Sequence, residues 1–397
     1  MPDHAVSSRI THALGAMSPF LSFLQDSAWS RRDPHDPRTC DYVFGNPHEM
    51  PLPGVVQALQ EHVPPRDASW FAYKTSEPEA RSTVAASLRE RIGLPFLAED
   101  VFMTNGAFAA LCVSLSTLLD PEDEVVFISP PWFFYESMIV AYGGTPVRVH
   151  IDPETFDLDL EAIAAALTPR TRAIIVNSPH NPTGKILLPE TLERLATILT
   201  DASERFGRRI YLLSDEAYSR IIFDGRTFHS PTTYYPDSLL LYTYGKTLLT
   251  PGQRMGYIAL PPAMTDRAPL RDALLAAQLT TGFAFPNALL QHALADLDAL
   301  SLDIDALQRR RDRLVAALTD MGFEVTTPEG TFYLVARAPE DDDQAFSDRL
   351  AEQGVYVLPG AVFEMPGHFR LSLTASDEMV ERSLDAFRRV APRAAVG

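Results

Sequence analysis

The stretch YTYGKTLLTPGQRMGY, residues 242–257, contains a lysine, Lys246, and an arginine, Arg254, that follows eight residues later. A lysine in this setting is a solvated surface charge, the phosphate-binding end of a Walker loop, or a reactive amine. A Walker loop requires glycine five residues before Gly245, but residue 240 is leucine, so this motif is excluded. A lysine amine also forms a Schiff base with an aldehyde, so surface charge and covalent chemistry both stay open for Lys246.

An aspartate, Asp215, ends the apolar run RIYLLSD, and Tyr218 follows it in the sequence DEAY. Pyridoxal phosphate, an electron sink that is held by a lysine Schiff base, requires an acidic partner for its ring nitrogen. A buried carboxylate at a strand end suits that partner, although an aspartate in such a place also caps helices. The spacing further allows Tyr218 to donate a hydrogen bond to the phenolic oxygen of the ring. Together with Lys246, these residues favour pyridoxal phosphate chemistry.

The composition limits the partners of this chain of 397 residues. Lysine and arginine number 34 against 52 aspartates and glutamates, so the formal net charge is −18. A surface this acidic repels polyanions, which argues against nucleic acid and membranes as partners and favours small molecules. The two cysteines lie in no metal-type spacing, so no metal site is expected. Neither the N-terminus nor the apolar stretch GAFAALCVSLSTLL suits a signal peptide or a membrane span, so we expect a cytoplasmic protein.

Short apolar runs alternate with helix-like stretches in the middle of the chain, between about residues 100 and 260. The runs are VFMTNG, EVVFIS, TPVRVHI, AIIVNSP, RIYLLSDEAY, LLLYTYG and RMGYIAL. Continuous apolar strands between helices predict a mostly parallel sheet with helices on both faces. Such a sheet binds ligands beyond the carboxyl ends of its strands, where the polar segments 178–184, 215–218 and 243–246 lie.

The two ends of the chain differ from this middle part. Residues 301–321 predict a helix that ends at Gly322, and the segments FEVTTPEGTFYLVARA and GVYVLPGAVFEMPGHFRLSLTA are rich in strands and turns. The predicted fold class is α/β, with a mostly parallel seven-stranded sheet sandwiched by helices in a large domain, plus a smaller α+β domain from both ends. The expected units are residues 1–45 (N-terminal arm and part of the small domain), 46–288 (large cofactor domain) and 289–397 (C-terminal small domain).

Eight motifs occur in order between residues 45 and 373. They are GNPHEMPLPG, TNGAFAAL, PPWFFYE, NSPHNPTGK, SDEAYSRIIFDG, TYGKTLLTPGQRMG, PEGTFYL and FRLSL. In this order they resemble the fold type I pyridoxal-phosphate-dependent enzymes, and among them the class I and II aminotransferase family. Each motif is weak by itself, but the ordered set spans nearly the whole chain. The resemblance implies the transferase fold of these enzymes and the cofactor pyridoxal 5'-phosphate.

The resemblance also implies a role for each cofactor-binding residue. Lys246 is implied to hold the cofactor through a Schiff base and to carry the proton between the substrate Cα and the cofactor, and Asp215 to pair with the ring nitrogen. With Tyr218, these are the expected catalytic residues. The remaining expected contacts are Asn181 and Tyr218 at the phenolic oxygen, Thr243, Arg254 and the backbone N–H groups of Ala107 and Phe108 at the phosphate, and Trp132 stacked on the ring.

For the substrate, the resemblance implies Arg370, in FRLSL, as a bidentate clamp on the α-carboxylate, with Gly45 and Asn181 beside it. The implied reaction moves an amino group from an L-amino acid to a 2-oxo acid by a ping-pong route. A lyase or another Cα-carbanion enzyme of specialised metabolism (elimination, replacement or cyclisation) uses the same scaffold and stays the alternative. The family is usually homodimeric, so a homodimer is expected.

Some positions depart from the family pattern. Ser76 stands at an expected glycine. In relatives an aromatic residue near this position reaches the cofactor of a partner subunit, and either Phe71 or Tyr73 corresponds to it here. Gly245 precedes the lysine where many relatives carry serine, and His180 has no assigned role. No second arginine for a side-chain carboxylate is identified. The aromatic residues suggested for an apolar substrate pocket are Phe20, Trp132, Phe283 and Phe285.

Overall fold

The structure of the protein is a computed structural model that describes residues 5–392. Its helices are α1 (Ser8–Ala16), α2 (Ser18–Asp26), α3 (Pro53–His62), α4 (Pro78–Ile92), α5 (Gly106–Leu118), α6 (Tyr135–Ala141), α7 (Leu160–Ala166), α8 (Pro189–Phe206), α9 (Tyr244–Thr247), α10 (Arg267–Thr281), α11 (Ala288–His292), α12 (Leu294–Asp298), α13 (Ile304–Asp320), α14 (Asp343–Ala351) and α15 (Asp377–Val390). Its strands are β1 (Cys40–Asp41), β2 (Val101–Thr104), β3 (Glu124–Ser129), β4 (Thr145–His150), β5 (Thr171–Asn177), β6 (Tyr211–Asp215), β7 (Ser238–Thr243), β8 (Gly256–Ala259), β9 (Val325–Thr326), β10 (Tyr333–Arg337), β11 (Val355–Tyr356), β12 (Leu358–Pro359) and β13 (His368–Ser372). None of the helices within the described residues is both long and apolar enough to cross a lipid bilayer.

The main sheet has seven strands in the order β2-β8-β7-β6-β5-β3-β4. Strands β3 to β7 pair in parallel, and β8 pairs antiparallel with both β7 and β2. Every residue of β3, β6 and β7 is buried, because helices cover both faces of the sheet. The α/β fold with a mostly parallel seven-stranded sheet, which the apolar runs predict, is confirmed.

Alternate residues of each strand serve the two faces of the main sheet. In β3, Val125 and Phe127 join the apolar cluster that contains residues of α5 and α10. Val126 and Ile128 join the opposite cluster, which contains residues of α7 and α8. Because both faces are closed by helices, the ends of the strands are the places where a ligand can reach the sheet.

A second sheet lies in the C-terminal part of the chain, with the antiparallel order β12-β13-β10-β9. Helices α13, α14 and α15 supply Leu314, Phe346 and Phe387 to its apolar core. Strand β1, from the N-terminal part, pairs in parallel with β11, so the first residues of the chain join this C-terminal layer. The domain boundaries near residues 45 and 288 stay a prediction.

Three neighbouring strands of the main sheet, β5, β6 and β7, end in polar residues. Asn177 at the end of β5 pairs in register with Asp215 at the end of β6, and β7 ends at Thr243. Parallel strands place their carboxyl ends at the same edge of a sheet, so these residues and Lys246, which follows β7, converge there.

Candidate active site

A cavity opens beyond the carboxyl ends of β5, β6 and β7. Its lining residues are Ala107, Phe108, Leu111, Trp132, Tyr135, Asn177, Asn181, Asp215, Ala217, Tyr218, Thr243, Gly245, Lys246, Pro251 and Arg254. The structure thus brings together every cofactor-binding residue predicted from the sequence. Of the three predicted substrate residues, Asn181 lines the cavity and Arg370 donates a hydrogen bond to it. Gly45 lies against Tyr333, whose ring centre is 6.1 Å from that of the lining residue Tyr218.

Lys246 lies in the short helix α9, directly after β7. The hydroxyl of Thr243 caps this helix by accepting a hydrogen bond from the N–H of Gly245 at 3.3 Å. The Lys246 Nζ atom lies 5.5 Å from the centre of the Tyr218 ring and 5.4 Å from that of the Phe332 ring. Among the described residues, Lys74 and Lys185 form ion pairs, whereas Lys246 forms none and acts on the Asp215 carboxylate only through its charge. Such an amine suits covalent chemistry with an aldehyde.

Asp215 is a buried carboxylate at the end of β6. The Tyr135 hydroxyl donates to its Oδ2 atom at 2.6 Å, and the Ala217 N–H donates to Oδ1 at 3.2 Å. Burial raises the pKa of Asp215, and these two hydrogen bonds, together with the charge of Lys246, lower it in part. An opposite charge beside a buried carboxylate stabilises its ionised form, so this group suits a protonated ring nitrogen.

Two residues that hold the site in place, Tyr135 and Asn177, are not singled out by the sequence. The Asn177 side-chain amide donates to the Asp215 carbonyl at 2.8 Å, and its Oδ1 atom accepts from the Asn181 N–H at 2.8 Å. Tyr135 lies within the motif PPWFFYE, and Asn177 is the polar residue that ends an apolar strand. Those signals mark both residues as candidates, but the contacts between them and the catalytic groups are set by the fold.

Arg370 lies in β13 and is only 2% exposed. Its Nη1 donates to the Asn181 Oδ1 atom at 3.0 Å, and its Nη2 donates to the Val43 carbonyl at 3.1 Å. The guanidinium carbon lies 3.8 Å from the centre of the Tyr333 ring. Within residues 5–392, its Nε has no hydrogen-bond partner, and burial lowers the pKa of the group. A buried guanidinium without a carboxylate partner among the described residues suits the binding of a carboxylate.

Gly45 lies against the rings of Phe332 and Tyr333. A Cβ atom at residue 45 would lie 2.3 Å from the Phe332 Cε2 atom, so a larger residue would displace that ring. The Tyr333 ring centre lies 6.1 Å from that of Tyr218, and a Cβ atom at residue 45 would lie 3.0 Å from the Tyr333 hydroxyl. Burial raises the pKa of both tyrosines, but nearby cationic charges, above all that of Arg370, outweigh burial at Tyr333 and leave its pKa below the ordinary value. Tyr333 is thus a further residue of the site that its motif, PEGTFYL, does not reveal.

The N-terminus of α5 and Arg254 form the cationic end of the cavity. A Cβ atom on Gly106 would lie 3.0 Å from the Arg254 Nη2 atom, which places the guanidinium against the first turn of α5. The N-cap residue Asn105 makes no side-chain hydrogen bond to that turn, so its N–H groups stay available. Arg254 is exposed in a single chain, but partial loss of water around the guanidinium lowers its pKa, and no charged partner within residues 5–392 offsets this. Free helix N–H groups beside an unmatched arginine suit a phosphate.

Gly245 allows the loop before Arg254 to approach the cavity. A Cβ atom at residue 245 would lie 3.0 Å from the Cα atom of Pro251 and 3.5 Å from the Thr250 carbonyl oxygen. A serine here, as in many relatives, would push this loop outward by a few tenths of an ångström. Glycine at this position therefore fits the particular course of this loop.

Residues 39–387 match the family model described as aminotransferase class I and II. This chain belongs to that family. The aspartate/prephenate aminotransferase of Thermus thermophilus is 35% identical over 336 residues, which cover 82% of this chain and 84% of that protein. The arginine–pyruvate transaminase of Pseudomonas aeruginosa is 33% identical over 322 residues, which cover 78% of this chain and 79% of that protein. The amino transferase structure from Eubacterium rectale matches with a TM-score of 0.85 at 30% identity, over 97% of this chain and 96% of that chain.

The protein is therefore a pyridoxal-phosphate-dependent aminotransferase, which exchanges an amino group between an amino acid and a 2-oxo acid. Three observations show that its residues fit the cofactor. Arg254 lacks an acidic partner and lies at free helix N–H groups, which suits the phosphate. Asp215 is buried and suits the ring nitrogen, and Lys246 offers an amine in the lining of the same cavity.

His180, to which the sequence assigns no role, is buried next to Asn181. Its Nδ1 atom lies 2.9 Å from the Thr183 hydroxyl, and burial lowers its pKa to about 4. The imidazole is consequently neutral near pH 7. In this aminotransferase His180 contributes packing and a hydrogen bond rather than charge.

Three of the positions at which the sequence departs from the family pattern, Ser76, Phe71 and Tyr73, do not line the cavity of their own chain. The Ser76 hydroxyl accepts a hydrogen bond from the N–H of Met103, in the edge strand β2, at 2.8 Å. Phe71 and Tyr73 are 59% and 88% exposed, and the Tyr73 ring lies 4.9 Å from that of Phe285. Which of the two aromatic residues reaches a partner subunit of the aminotransferase stays a prediction.

Glu216 is expected to make the stability of the aminotransferase depend on pH. Burial raises its pKa from the ordinary 4.5 to about 7, although the hydroxyls of Ser230 and Ser214 donate to its Oε1 atom at 2.6 and 3.0 Å. A carboxyl whose pKa is higher in the folded state stabilises the fold below pH 4.5, and this contribution is lost as the pH rises towards 7. We expect the free energy of unfolding of the wild type to fall by about 3 kcal/mol between these limits relative to Glu216→Gln.

Urea unfolding at a series of pH values between 4.5 and 8 measures this difference. Glu161→Gln, at an exposed glutamate at the start of α7, is the control, and its stability should follow that of the wild type. Parallel pH profiles for the wild type and Glu216→Gln would contradict the assignment.

Proposed function

We propose that this aminotransferase holds pyridoxal phosphate through Lys246 and moves the amino group of an L-amino acid to a 2-oxo acid by a ping-pong route. The observation that carries the proposal is the convergence of the Lys246 amine, the buried Asp215 carboxylate and the buried Arg370 guanidinium around one cavity. An amino acid joined to the cofactor has a carboxylate for Arg370 and a Cα proton that must be removed. The cavity provides a group for each of these tasks.

Proton transfer at the substrate Cα is assigned to Lys246. When bound, pyridoxal phosphate supplies an electron sink for the electron pair that remains when the Cα proton leaves. The Nζ atom of Lys246 would accept that proton and would then return it as the general acid. The aromatic rings of Tyr218 and Phe332 lie 5.5 and 5.4 Å from the Lys246 Nζ atom and limit its contact with water.

The remaining polar groups would hold the ring of the cofactor. Asp215 would keep the ring nitrogen protonated, and the Tyr135 hydroxyl at 2.6 Å holds the carboxylate in place. Asn181 and Tyr218 would donate to the phenolic oxygen, and Asn177 accepts a hydrogen bond from the Asn181 N–H and so fixes the loop that carries it. Because these groups are held before the substrate arrives, little reorganisation is needed during the reaction.

Substituting lysine for Arg370 is expected to raise the KM for amino donors about 100-fold, with a smaller decrease in kcat. A lysine ammonium cannot provide two parallel N–H donors to the substrate carboxylate, and it loses the stacking of the guanidinium on Tyr333. Steady-state kinetics with one donor and one acceptor measures both constants. Arg313→Lys, at an exposed arginine paired with Glu381, is the matched control. An unchanged KM would show that the clamp lies elsewhere.

A half-reaction experiment tests the reaction type. The holoenzyme is mixed with a single L-amino acid and no 2-oxo acid. We expect one equivalent of the corresponding 2-oxo acid per active site and no free ammonia, with further product only after an acceptor is added. Continuous release of ammonia without an acceptor would instead support the elimination reaction that the sequence leaves as the alternative.

A homodimer is part of the proposal, and exposed aromatic surface supports it. Phe71, Tyr73 and Phe285 expose about half or more of their surface. Contiguous exposed aromatic surface of this kind marks an interaction site, and a second copy of the chain is the proposed partner. Size-exclusion chromatography with light scattering should give twice the mass of one chain. A fully active monomer would contradict this part of the proposal.

The proposed location is the cytoplasm. Cys40 and Cys112 are both free and buried, and burial raises the pKa of both thiols. Free, unreactive thiols are the usual state of cysteine in a reducing compartment, which supports this location.

A further inference from the structure

Five aromatic side chains form a connected surface at the cavity, which we name the aromatic wall: Phe20, Phe108, Trp132, Phe133 and Phe134. Trp132 and Phe108 line the cavity itself, with ring centres 5.0 Å apart. Phe134 lies 5.0 Å from Trp132 and 5.3 Å from Phe108. Phe20, on α2, stacks on Phe133 at 4.4 Å and meets Phe134 at 5.0 Å. The wall therefore runs without a break from the cavity to the N-terminal helix α2.

The far end of the aromatic wall lies close to the carboxylate clamp. Phe20 is 6.1 Å from Phe44, which directly precedes Gly45. The carbonyl of Val43 accepts the hydrogen bond from Arg370 Nη2. A substrate held by its amino group at the cofactor and by its carboxylate at Arg370 has its side chain as the remaining large substituent. The aromatic wall extends from the cavity, where the first anchor lies, to Phe44, which follows the Val43 contact of the second anchor.

The aromatic wall offers no cation to a second carboxylate. Two arginines of the surrounding segments are already paired, Arg32 with Asp41 at 2.9 Å and Arg148 with Glu364 at 3.1 Å. Among the described residues, the cations that line or adjoin the cavity are those assigned above to the cofactor and to the α-carboxylate. A side-chain carboxylate would lose its water against aromatic rings and gain no opposite charge, which disfavours it.

The aromatic wall is accessible to a ligand within one chain. Phe108 is 37% exposed, and Trp132, Phe133 and Phe134 are half-buried. Aromatic faces that line a cavity are stabilised when an apolar group covers them, and they favour aromatic partners through edge and stacking contacts.

We propose that the aromatic wall is the side-chain subsite, so that the aminotransferase prefers aromatic and large apolar amino acids, with their 2-oxo acids, over dicarboxylic ones. The inference rests on the proposed roles of Lys246 and Arg370. Of the aromatic residues that the sequence suggests for the pocket, Phe20 and Trp132 belong to the wall. Phe283 and Phe285 do not line the cavity.

Single-turnover half-reactions of the holoenzyme with phenylalanine, alanine and aspartate test the preference, because they need no acceptor. The rate constant divided by the dissociation constant is expected to be about 10- to 100-fold higher for phenylalanine than for alanine. Aspartate is expected to lie at least about 10-fold below phenylalanine. An enzyme that reacts faster with aspartate than with phenylalanine would overturn the proposal.

Two substitutions locate the subsite. Phe134→Leu, at the centre of the wall, should lower the rate constant divided by the dissociation constant about 5- to 10-fold for phenylalanine. For alanine the same quantity should stay within about two-fold of the wild type. Phe206→Leu, in α8 and outside the wall, is its control. Phe108→Lys places an ammonium at an exposed position beside Trp132 and should raise the ratio of aspartate to phenylalanine at least about 10-fold, whereas Phe108→Leu should not. The assignment would be overturned if the preference for phenylalanine over alanine were unchanged in Phe134→Leu and the ratio of aspartate to phenylalanine were unchanged in Phe108→Lys.

The outcomes separate this inference from the function on which it rests. If the wild-type enzyme converts aspartate better than phenylalanine and Lys246→Ala abolishes this activity, the proposed reaction stands and only the role of the aromatic wall is refuted. An enzyme that releases no 2-oxo acid from any amino acid refutes both.

Discussion

Lys246→Ala is expected to lose multiple turnover by at least about 10⁴-fold while the protein stays folded. The substitution removes both the amine that holds the cofactor and the base that moves the Cα proton. The cap of α9 is formed by the Thr243 hydroxyl and the Gly245 backbone, so it does not depend on the lysine side chain. Steady-state kinetics measures the loss, and circular dichroism shows whether the fold persists.

The small number of lysines makes a covalent test direct. The chain contains three, Lys74, Lys185 and Lys246. Borohydride reduction of the holoenzyme followed by peptide mass spectrometry should place the cofactor on the peptide that contains Lys246. Lys185→Ala, at a lysine 3.8 Å from Glu329, is the control and should retain turnover, because such a loose pair contributes little. A cofactor adduct on Lys74 or Lys185 would contradict the assignment, as would multiple turnover by Lys246→Ala.

Asp215→Asn is expected to slow exchange of the substrate Cα proton with solvent deuterium by about 10³-fold or more, with cofactor still bound. An amide in place of the carboxylate has no charge to keep the ring nitrogen protonated, so the ring withdraws electrons less strongly. Asparagine has nearly the same shape as aspartate, and its side-chain oxygen can still accept from the Ala217 N–H. The Tyr135 hydroxyl can accept a hydrogen bond as well as donate one, so local packing is retained. Nuclear magnetic resonance of the amino acid in deuterated buffer follows the exchange.

Tyr135→Phe is the informative companion to Asp215→Asn. It removes the 2.6 Å hydrogen bond and leaves the carboxylate in place. The Tyr135 hydrogen bond lowers the pKa of Asp215, whereas burial raises it, so loss of this donor raises the pKa further. A decrease in exchange of only about 10-fold is expected, because a cationic ring nitrogen still keeps Asp215 ionised. Equal rates for the two variants would show that position, and not charge, is what Asp215 provides.

The fold class and the reactive residue types could be predicted from the sequence. Runs such as EVVFIS are apolar throughout, and a strand needs this composition only when both of its faces are covered, which is why they predict a buried parallel sheet. The polar residues that end such runs, among them Asp215, are placed at a ligand-binding edge by the same topology. The order of the motifs indicates the family. These are features of run length, residue type and order, which are read along the chain.

The contacts that make the site were decided by the tertiary structure. Tyr135 donates to Asp215 across 80 residues of sequence, and Arg370 donates to Asn181 across 189. Tyr333 was missed for the same reason, since its contact with Tyr218 depends on how β10 meets the end of β6. A hydrogen bond requires its atoms within about 3 Å of each other, and no local pattern specifies distances between distant elements that finely. Residue types and their order determined which chemistry the chain has available, whereas the packing of α6, β10 and β13 around the main sheet decided which groups share one cavity.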